Sequence, residues 1–303
     1  PAAPELQRLT IRLDHPVGSV VSSPLRFEHD VMARLHGSAV PVAEPLWYED
    51  DAGILGRPFY VRDCVPGDAS PKRLYAPGGE ALRAHIGRQL VEFLADLHTL
   101  DWQELGMDEI MRVPQTPRDA ALLELGRYRA YREETALEPM PALAELFAWL
   151  ERHAPASIPR VSIVWGDVGV GNFIYRDDIV GLTDWEQAHL GDPMKDIAAA
   201  LWRGLEALLP REEIYAVYEA RAGYPVVQES VDYYDVQDLA DWLHPWLEGR
   251  LRCAFSPKTL CPHTSRSRQV AEALVCKDSW IEGLMYHRLI AQGRVFPSGA
   301  DHA

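Results

Sequence analysis

Polar and apolar residues alternate through "RLTIRL" at residues 8–13, which predicts a short strand. A loop containing Pro, Gly and Ser follows. In "SPLRFEHDVMARLHG" the apolar Phe27, Val31 and Leu35 recur at helical spacing, with Ser23 as N-cap, Pro24 in the first turn and Gly37 as the stop. "PLWYEDDAGILGRPFYVRDCVPG" reads as two strands around an Asp-Asp-Ala-Gly turn. Beyond Gly67 the period changes: Leu82, Ile86, Leu90, Phe93, Leu94 and Leu97 share one face of a long helix ending near "DLHTLDW". Helical patterns also cover residues 119–134 and 141–153. "RVSIVW" then predicts a strand, and "GNFIYRDDIVGLTDW" a strand, an Arg-Asp-Asp turn and a second strand. Asp192 with Pro193 behind it predicts a capped helix whose apolar face carries Met194, Ile197, Leu201 and Leu208. The remainder is mostly helical in pattern, with no internal repeat. The hairpin at 172–185 therefore stands among helices. A two-stranded hairpin is marginal alone, so its surroundings must hold it.

Composition narrows the class. With 47% hydrophobic and 25% charged residues over 303 positions, the chain reads as an ordinary globular protein with one large core or two modest ones. A formal charge of -15 argues against nonspecific adhesion to nucleic acid or anionic lipid. The cysteines, Cys64, Cys253, Cys261 and Cys276, form no CxxC pair, which fits a reducing compartment. Cys253, Cys261 and His263 lack the paired spacing of a structural zinc site and read as ordinary loop residues. No apolar run approaches a membrane span and none resembles a signal peptide, so a cytoplasmic location is expected.

The hairpin region carries the chemistry. In "VWGDVGVGNFIYRDDIVGLTDWE" Asp167 follows a strand, Asn172 comes five residues later, and Asp184 ends the hairpin. A hairpin returns its end to the level of its beginning, so Asn172 and Asp184 are expected as neighbours, with Asp167 tethered close by. Asp and Asn are also common turn residues, and taken singly each is explained that way. Together they suit a Mg²⁺ that takes an Asn carbonyl and an Asp carboxylate and completes its shell with phosphates. A further Asp kept off the metal can accept the proton of an attacking hydroxyl. D-x-x-x-x-N with a later metal-binding Asp is the arrangement of kinase catalytic loops.

"WGDVGVGNFIY" with "LTDWEQAHLGDPMKDIA" resembles the aminoglycoside phosphotransferase and choline kinase superfamily of small-molecule kinases. The resemblance implies an α+β, protein-kinase-like fold of two lobes, with residues 1–65 as a small β-rich N-lobe and 66–303 as a helical C-lobe. It implies Asp167 as catalytic base, Asn172 and Asp184 as Mg²⁺ ligands, and Asp192 and Asp196 as supports of the loop and helix. It further implies ATP as donor and a small-molecule hydroxyl as acceptor. Where many members have His, this chain has Trp165, an indole able to keep the packing and hydrogen bonding. "LTIRLDHP" is similar to the strand whose basic residue pairs ATP phosphates, giving Arg12, and "RFEHDVMARL" to the helix whose Glu orients it, giving Glu28. The bland alternative is two exposed charges. "GRPFYVRDCVPGD" is similar to the hinge, where the Asp63 carbonyl and Val65 amide would meet the adenine edge. The strands and Gly-rich loop that normally precede the basic strand are missing from "PAAPELQRLTI", so the N-lobe reads as incomplete: those elements are expected upstream, the alternative being that the phosphate clamp is absent.

The acceptor is expected to meet "DYYDVQDLADWLHPWLEGR", where Asp235, Trp242 and Trp246 would suit an amino sugar or quaternary amine. An amphipathic helix with solvated acids and buried aromatics explains the same stretch. The function implied is an ATP- and Mg²⁺-dependent phosphotransferase acting on a small-molecule hydroxyl, an aminoglycoside among the candidates. The alternatives are a catalytically silent kinase-like binding protein, a kinase for a hydroxy-acid or acyl metabolite, and a metal-assisted phosphohydrolase.

Overall fold

The computed structural model describes residues 8–14, 23–135 and 141–238. Among these, the residues up to Arg127 together with Ala154–Asp235 form one compact unit, and Tyr128–His153 with Val236, Gln237 and Asp238 belong to a second. The fold is mixed, with a small strand-rich N-terminal part and a larger helical remainder.

In the first unit, β1 (Leu9–Leu13), β2 (Pro45–Glu49) and β3 (Phe59–Asp63) form an antiparallel sheet in the order β1-β3-β2. Arg12 stands opposite Tyr60 in the β1/β3 register. Helix α1 (Leu25–Leu35) buries Leu25, Glu28, Val31, Met32 and Leu35, a single face at helical spacing. Ser23 does not cap it: the N-cap is Pro24, whose carbonyl accepts the Phe27 amide, and no side chain takes part. The Asp-Asp-Ala-Gly segment is not a simple turn either. It is a one-turn helix, α2 (Ala52–Leu55), because Asp51 accepts the Gly53 amide and Gly56 closes it in the left-handed region.

Helix α3 (Glu80–Thr99) buries Ile86, Leu90, Val91, Leu94 and Leu97 along its inner face. It is tied to α7 (Arg211–Ala222) by a bidentate Arg221–Asp96 pair at 2.7 and 2.8 Å. Helix α4 (Pro117–Thr135) starts with a reciprocal cap: the Asp119 amide donates to Thr116 Oγ1, and the Gln115 amide to Asp119 Oδ2. In the second unit, α5 (Pro141–His153) buries Leu146, Phe147 and Leu150 and stacks Trp149 on His153 at 4.3 Å.

The strands of the site region are short. β4 (Ser162–Val164) pairs not with a neighbour in sequence but with β7 (His189–Gly191), a strand too brief to show alternation. β5 (Phe173–Tyr175) and β6 (Ile179–Leu182) form the expected hairpin. The hairpin is held from three sides. Leu182 donates its amide to Pro41, Tyr175 and Asp68 exchange backbone bonds at 2.9 and 3.0 Å, and the Ile179 amide donates to Gln89 of α3. Helix α6 (Met194–Trp202) is buried at every position from Met194 to Leu201. Leu208 is not on its face: the helix stops at Arg203, and a 3-10 turn (Leu205–Ala207) carries Leu208 to pack near Gly87 of α3.

Candidate active site

Asp167 sits on the loop between β4 and β5, and the loop's shape is fixed by a buried acid from α6. Asp196, with no exposed surface, accepts the Trp165 amide on Oδ2 at 2.7 Å and the Gly166 amide on Oδ1 at 2.8 Å. His98 Nε2 reaches the same Oδ2 at 3.0 Å. Because a carboxylate only accepts, His98 Nε2 carries a proton, and Nδ1 lies 2.7 Å from the Tyr218 hydroxyl. Gly166 is required here. Its φ is +84, and a Cβ would meet the Gln187 carbonyl carbon at 3.0 Å.

Asn172 and Asp184 come together as the hairpin predicts. Phe173 pairs with Leu182, the Thr183 amide donates to the Asn172 carbonyl at 2.9 Å, and Asp184 follows directly. Asn172 Nδ2 donates to both the backbone carbonyl and Oδ2 of Asp167. That uses the nitrogen end of the amide and turns its oxygen away from Asp167.

Asp184 is the sole positive-φ residue other than glycine among the described residues, at +66. Such a conformation costs about 1 kcal/mol or more and persists where surroundings impose it. Trp165 bonds the backbone at this point. Its indole nitrogen donates to the Thr183 and Asp184 carbonyls at 3.0 and 3.2 Å, and its ring stacks on Trp185 at 5.4 Å.

Arg12 meets Glu28 at 2.9 Å and Asp184 at 3.2 Å, and it reaches Glu186 at 3.4 Å. Burial works against the Arg12 charge, yet Glu28, Tyr60, Asp184 and Glu186 together hold its pKa above the usual value. Burial pushes the Glu28 carboxyl up to about 7 against the pull of Arg12. The difference follows from exposure: the Glu28 side chain is 3% exposed and that of Arg12 37%, so desolvation weighs more on the acid.

The residues suit a magnesium ion. Among the described residues no three His, Cys, Asp or Glu side chains form a metal-holding group. A Mg²⁺ that takes one Asn and one Asp and completes its shell with phosphate and water needs no such group. The Asp184 carboxylate, one-third exposed, already faces a cation in the form of Arg12.

Of the two residues expected at the adenine edge, Asp63 is the last of β3 and Val65 comes two residues later. The Asp63 carbonyl accepts a bond from its neighbour Arg62 at 3.2 Å, and the Val65 side chain lies against Gly181 of β6. The segment after β3 is thus brought to the hairpin that carries Asn172 and Asp184. Asp235 lies in the helical stretch 228–238, half-buried, with Arg211 as a charge neighbour. Trp242 and Trp246 lie outside the described residues.

Sequence reasoning missed Arg203. Its guanidinium, at the end of α6, forms an ion pair with Asp167 Oδ1. The signal was slight, since Arg203 belongs to no recognisable pattern. Gly169 is the accommodating feature: a Cβ there would lie 2.7 Å from Arg203 Cζ and 3.0 Å from Nη2. Glu186 was visible only as the last letter of "DWE".

The phosphotransferase enzyme family matches this chain over residues 4–229. Acyl-CoA dehydrogenase family member 11 of Rattus norvegicus is 28% identical over 226 residues, covering 72% of this chain and 28% of that protein. The chain therefore spans under a third of the length of that curated relative. Among solved structures, a provisionally named aminoglycoside phosphotransferase of Ralstonia eutropha superposes with a TM-score of 0.65 at 20% identity, covering 94% of this chain and 93% of that one. A macrolide 2'-phosphotransferase of Brachybacterium faecium gives 0.52 at 20% identity, covering 88% and 84%. An aminoglycoside phosphotransferase solved with GDP and kanamycin gives 0.55 at 16% identity, covering 89% and 87%. At such identities the likeness concerns the fold.

Proposed function

The chain belongs to the phosphotransferase enzyme family, and on that premise we propose that it transfers the γ-phosphoryl group of ATP to a hydroxyl of a small molecule. The observation that carries this reading is the convergence of Asp167, Asn172 and Asp184 through one loop and one hairpin, with Arg12 reaching Asp184. Asp167 accepts the hydroxyl proton as the acceptor oxygen bonds to γ-phosphorus. The bond from γ-phosphorus to the bridging oxygen breaks, its electron pair leaves with ADP, and the proton passes to solvent. Asn172 keeps Asp167 oriented through its amide nitrogen, and its oxygen with Asp184 would hold Mg²⁺. When bound, that ion neutralises charge on the phosphates.

Arg12, oriented by Glu28, is assigned to the donor phosphates. In this reading it moves from Asp184 to the nucleotide as the metal takes its place. Residues 63–65 are assigned to the adenine edge, with residues 1–65 as the nucleotide lobe and the helical remainder as the acceptor lobe. Asp235 is retained as an acceptor-side candidate. The complexes with GDP or with AMP-PNP among the structural neighbours support a purine nucleotide donor. The names of the curated relatives favour a second reading of the acceptor, a hydroxyl on an acyl metabolite, over an antibiotic.

The test is nucleotide titration by calorimetry with and without Mg²⁺, followed by ADP release over hydroxylated acceptors. Metal-dependent ATP binding that Asp184→Ala weakens by about 10-fold or more is expected. Asp167→Ala should bind ATP and lose transfer by about 100-fold or more. Unchanged transfer in Asp167→Ala would remove the base assignment.

A further inference from the structure

The base is not open. Asp167 Oδ1 is paired with Arg203, and Oδ2 accepts from Asn172. An acceptor hydroxyl must come within about 3 Å of one of these oxygens to lose its proton. Each oxygen keeps a second acceptor site, but a carboxylate paired with a guanidinium is a poorer proton acceptor than an open one, so the Arg203 pair must loosen before Asp167 takes the hydroxyl proton. The guanidinium lies against Gly169, inside the five-residue span from Asp167 to Asn172. Both side chains are largely buried, 17% exposed for Arg203 and 16% for Asp167, so solvent screens their fields weakly.

Resting on the phosphotransferase reading, we propose that Arg203 selects the acceptor: the true acceptor carries an anionic oxygen group, carboxylate or phosphate, next to the reacting hydroxyl. Arg203 shifts from Asp167 to that anion. Three consequences follow from charge and geometry. An anion within reach receives the planar fork of N–H donors that suits carboxylate and phosphate oxygens. Its arrival releases Asp167 Oδ1 for the hydroxyl proton, so acceptor binding and base activation become one event. A cationic group at the same distance meets like charge in a weakly screened site and leaves the base paired. The missing Cβ of Gly169 is what lets the guanidinium lie against this loop.

The test uses the full chain with Mg·ATP and matched acceptors: 3-hydroxybutanoate, glycerate and glycerol 3-phosphate against 3-hydroxybutanamide, glyceramide, glycerol and 3-amino-1,2-propanediol. ADP release gives kcat/KM, and calorimetry with Mg·ADP gives binding. The wild type should prefer an anionic member over its neutral partner by about 10- to 100-fold in one readout or both, the range of a hydrogen bond to a charged group. Arg203→Ala should erase that preference, chiefly through KM, while Mg·ATP affinity stays within about two-fold. Arg203→Lys keeps the charge without the fork and should retain part of the preference. It also serves as the folded control if the alanine variant is unstable. Arg203→Glu should shift preference toward 3-amino-1,2-propanediol.

Equal or better performance of the neutral or amino members in both readouts, use and binding, by the wild type overturns the proposal, as does an Arg203→Ala effect equal for every acceptor. The phosphotransferase reading fails separately. Absent metal-dependent ATP binding with Arg203-dependent anion binding intact would sink the transferase and leave the anion site. Glycerate and glycerol 3-phosphate distinguish carboxylate from phosphate as the group held.

Discussion

Replacing Asp196 with Asn changes one atom, yet it should be among the most damaging polar substitutions available to this chain. Asp196 is fully buried and supplies two acceptor oxygens to three donors: the Trp165 amide, the Gly166 amide and His98 Nε2. In the better orientation an asparagine keeps its oxygen toward Trp165 and His98. Its NH₂ group then faces the Gly166 amide, donor against donor. One charge-assisted bond is lost, about 1.5–3 kcal/mol, and a buried N–H is left unmet, about 1–3 kcal/mol more. The sum, about 2.5–6 kcal/mol, is a large part of the 5–15 kcal/mol typical of a folded domain. Urea unfolding followed by tryptophan fluorescence and far-UV circular dichroism measures it, with exposed Asp108→Asn as a control expected within about 0.5 kcal/mol of wild type. Gly166 directly precedes Asp167, so transfer activity in the folded fraction should fall as well. A midpoint for Asp196→Asn that corresponds to less than about 1 kcal/mol would refute the reasoning, because some other group must then satisfy the Gly166 amide.

Trp165→Phe removes the donor shared by the Thr183 and Asp184 carbonyls and opens a small hole. The expected loss is about 2–3 kcal/mol in denaturation, together with weaker Mg²⁺ dependence of ATP binding. Trp165→His restores a ring donor and should lose less; metal titrations indistinguishable across the three proteins would show that the indole does not position Asp184. Asp192 gives a pH signature. Burial raises its pKa from 3.8 to about 7, so its stabilising contribution is complete below pH 4 and disappears as pH rises through 7. Asp192→Asn keeps an acceptor for the Met194 amide and should flatten the fall in stability between pH 4 and 7, of order 4 kcal/mol in the wild type; parallel pH profiles for the two would contradict this.

Local pattern carried much of the fold, for identifiable reasons. The faces of α1 and α3 are runs of apolar side chains at helical spacing, and each run records burial of that element by itself. The hairpin was legible because β5, the Arg-Asp-Asp turn and β6 are contiguous, although the register shift between Ile174 and Tyr175 was not. What failed was local detail ruled by capping or by distant partners. Ser23 gave way to Pro24, Asp51 turned a loop into a helical turn, and β7 had only three residues and a partner 25 residues earlier.

The sequence by itself determined which chemical groups are present and how far apart they lie along the chain: an Asp and an Asn five residues apart, an Asp beyond a hairpin, and a basic residue on an alternating strand. Tertiary structure alone decided which charges meet. Arg12 reaches Asp184 across 172 positions, and Arg203 reaches Asp167 across 36. Spacing cannot encode such pairs, because they depend on where a buried helix ends and how a sheet packs. In a weakly screened interior a few ångströms decide whether a guanidinium pairs with a carboxylate or stands apart from it.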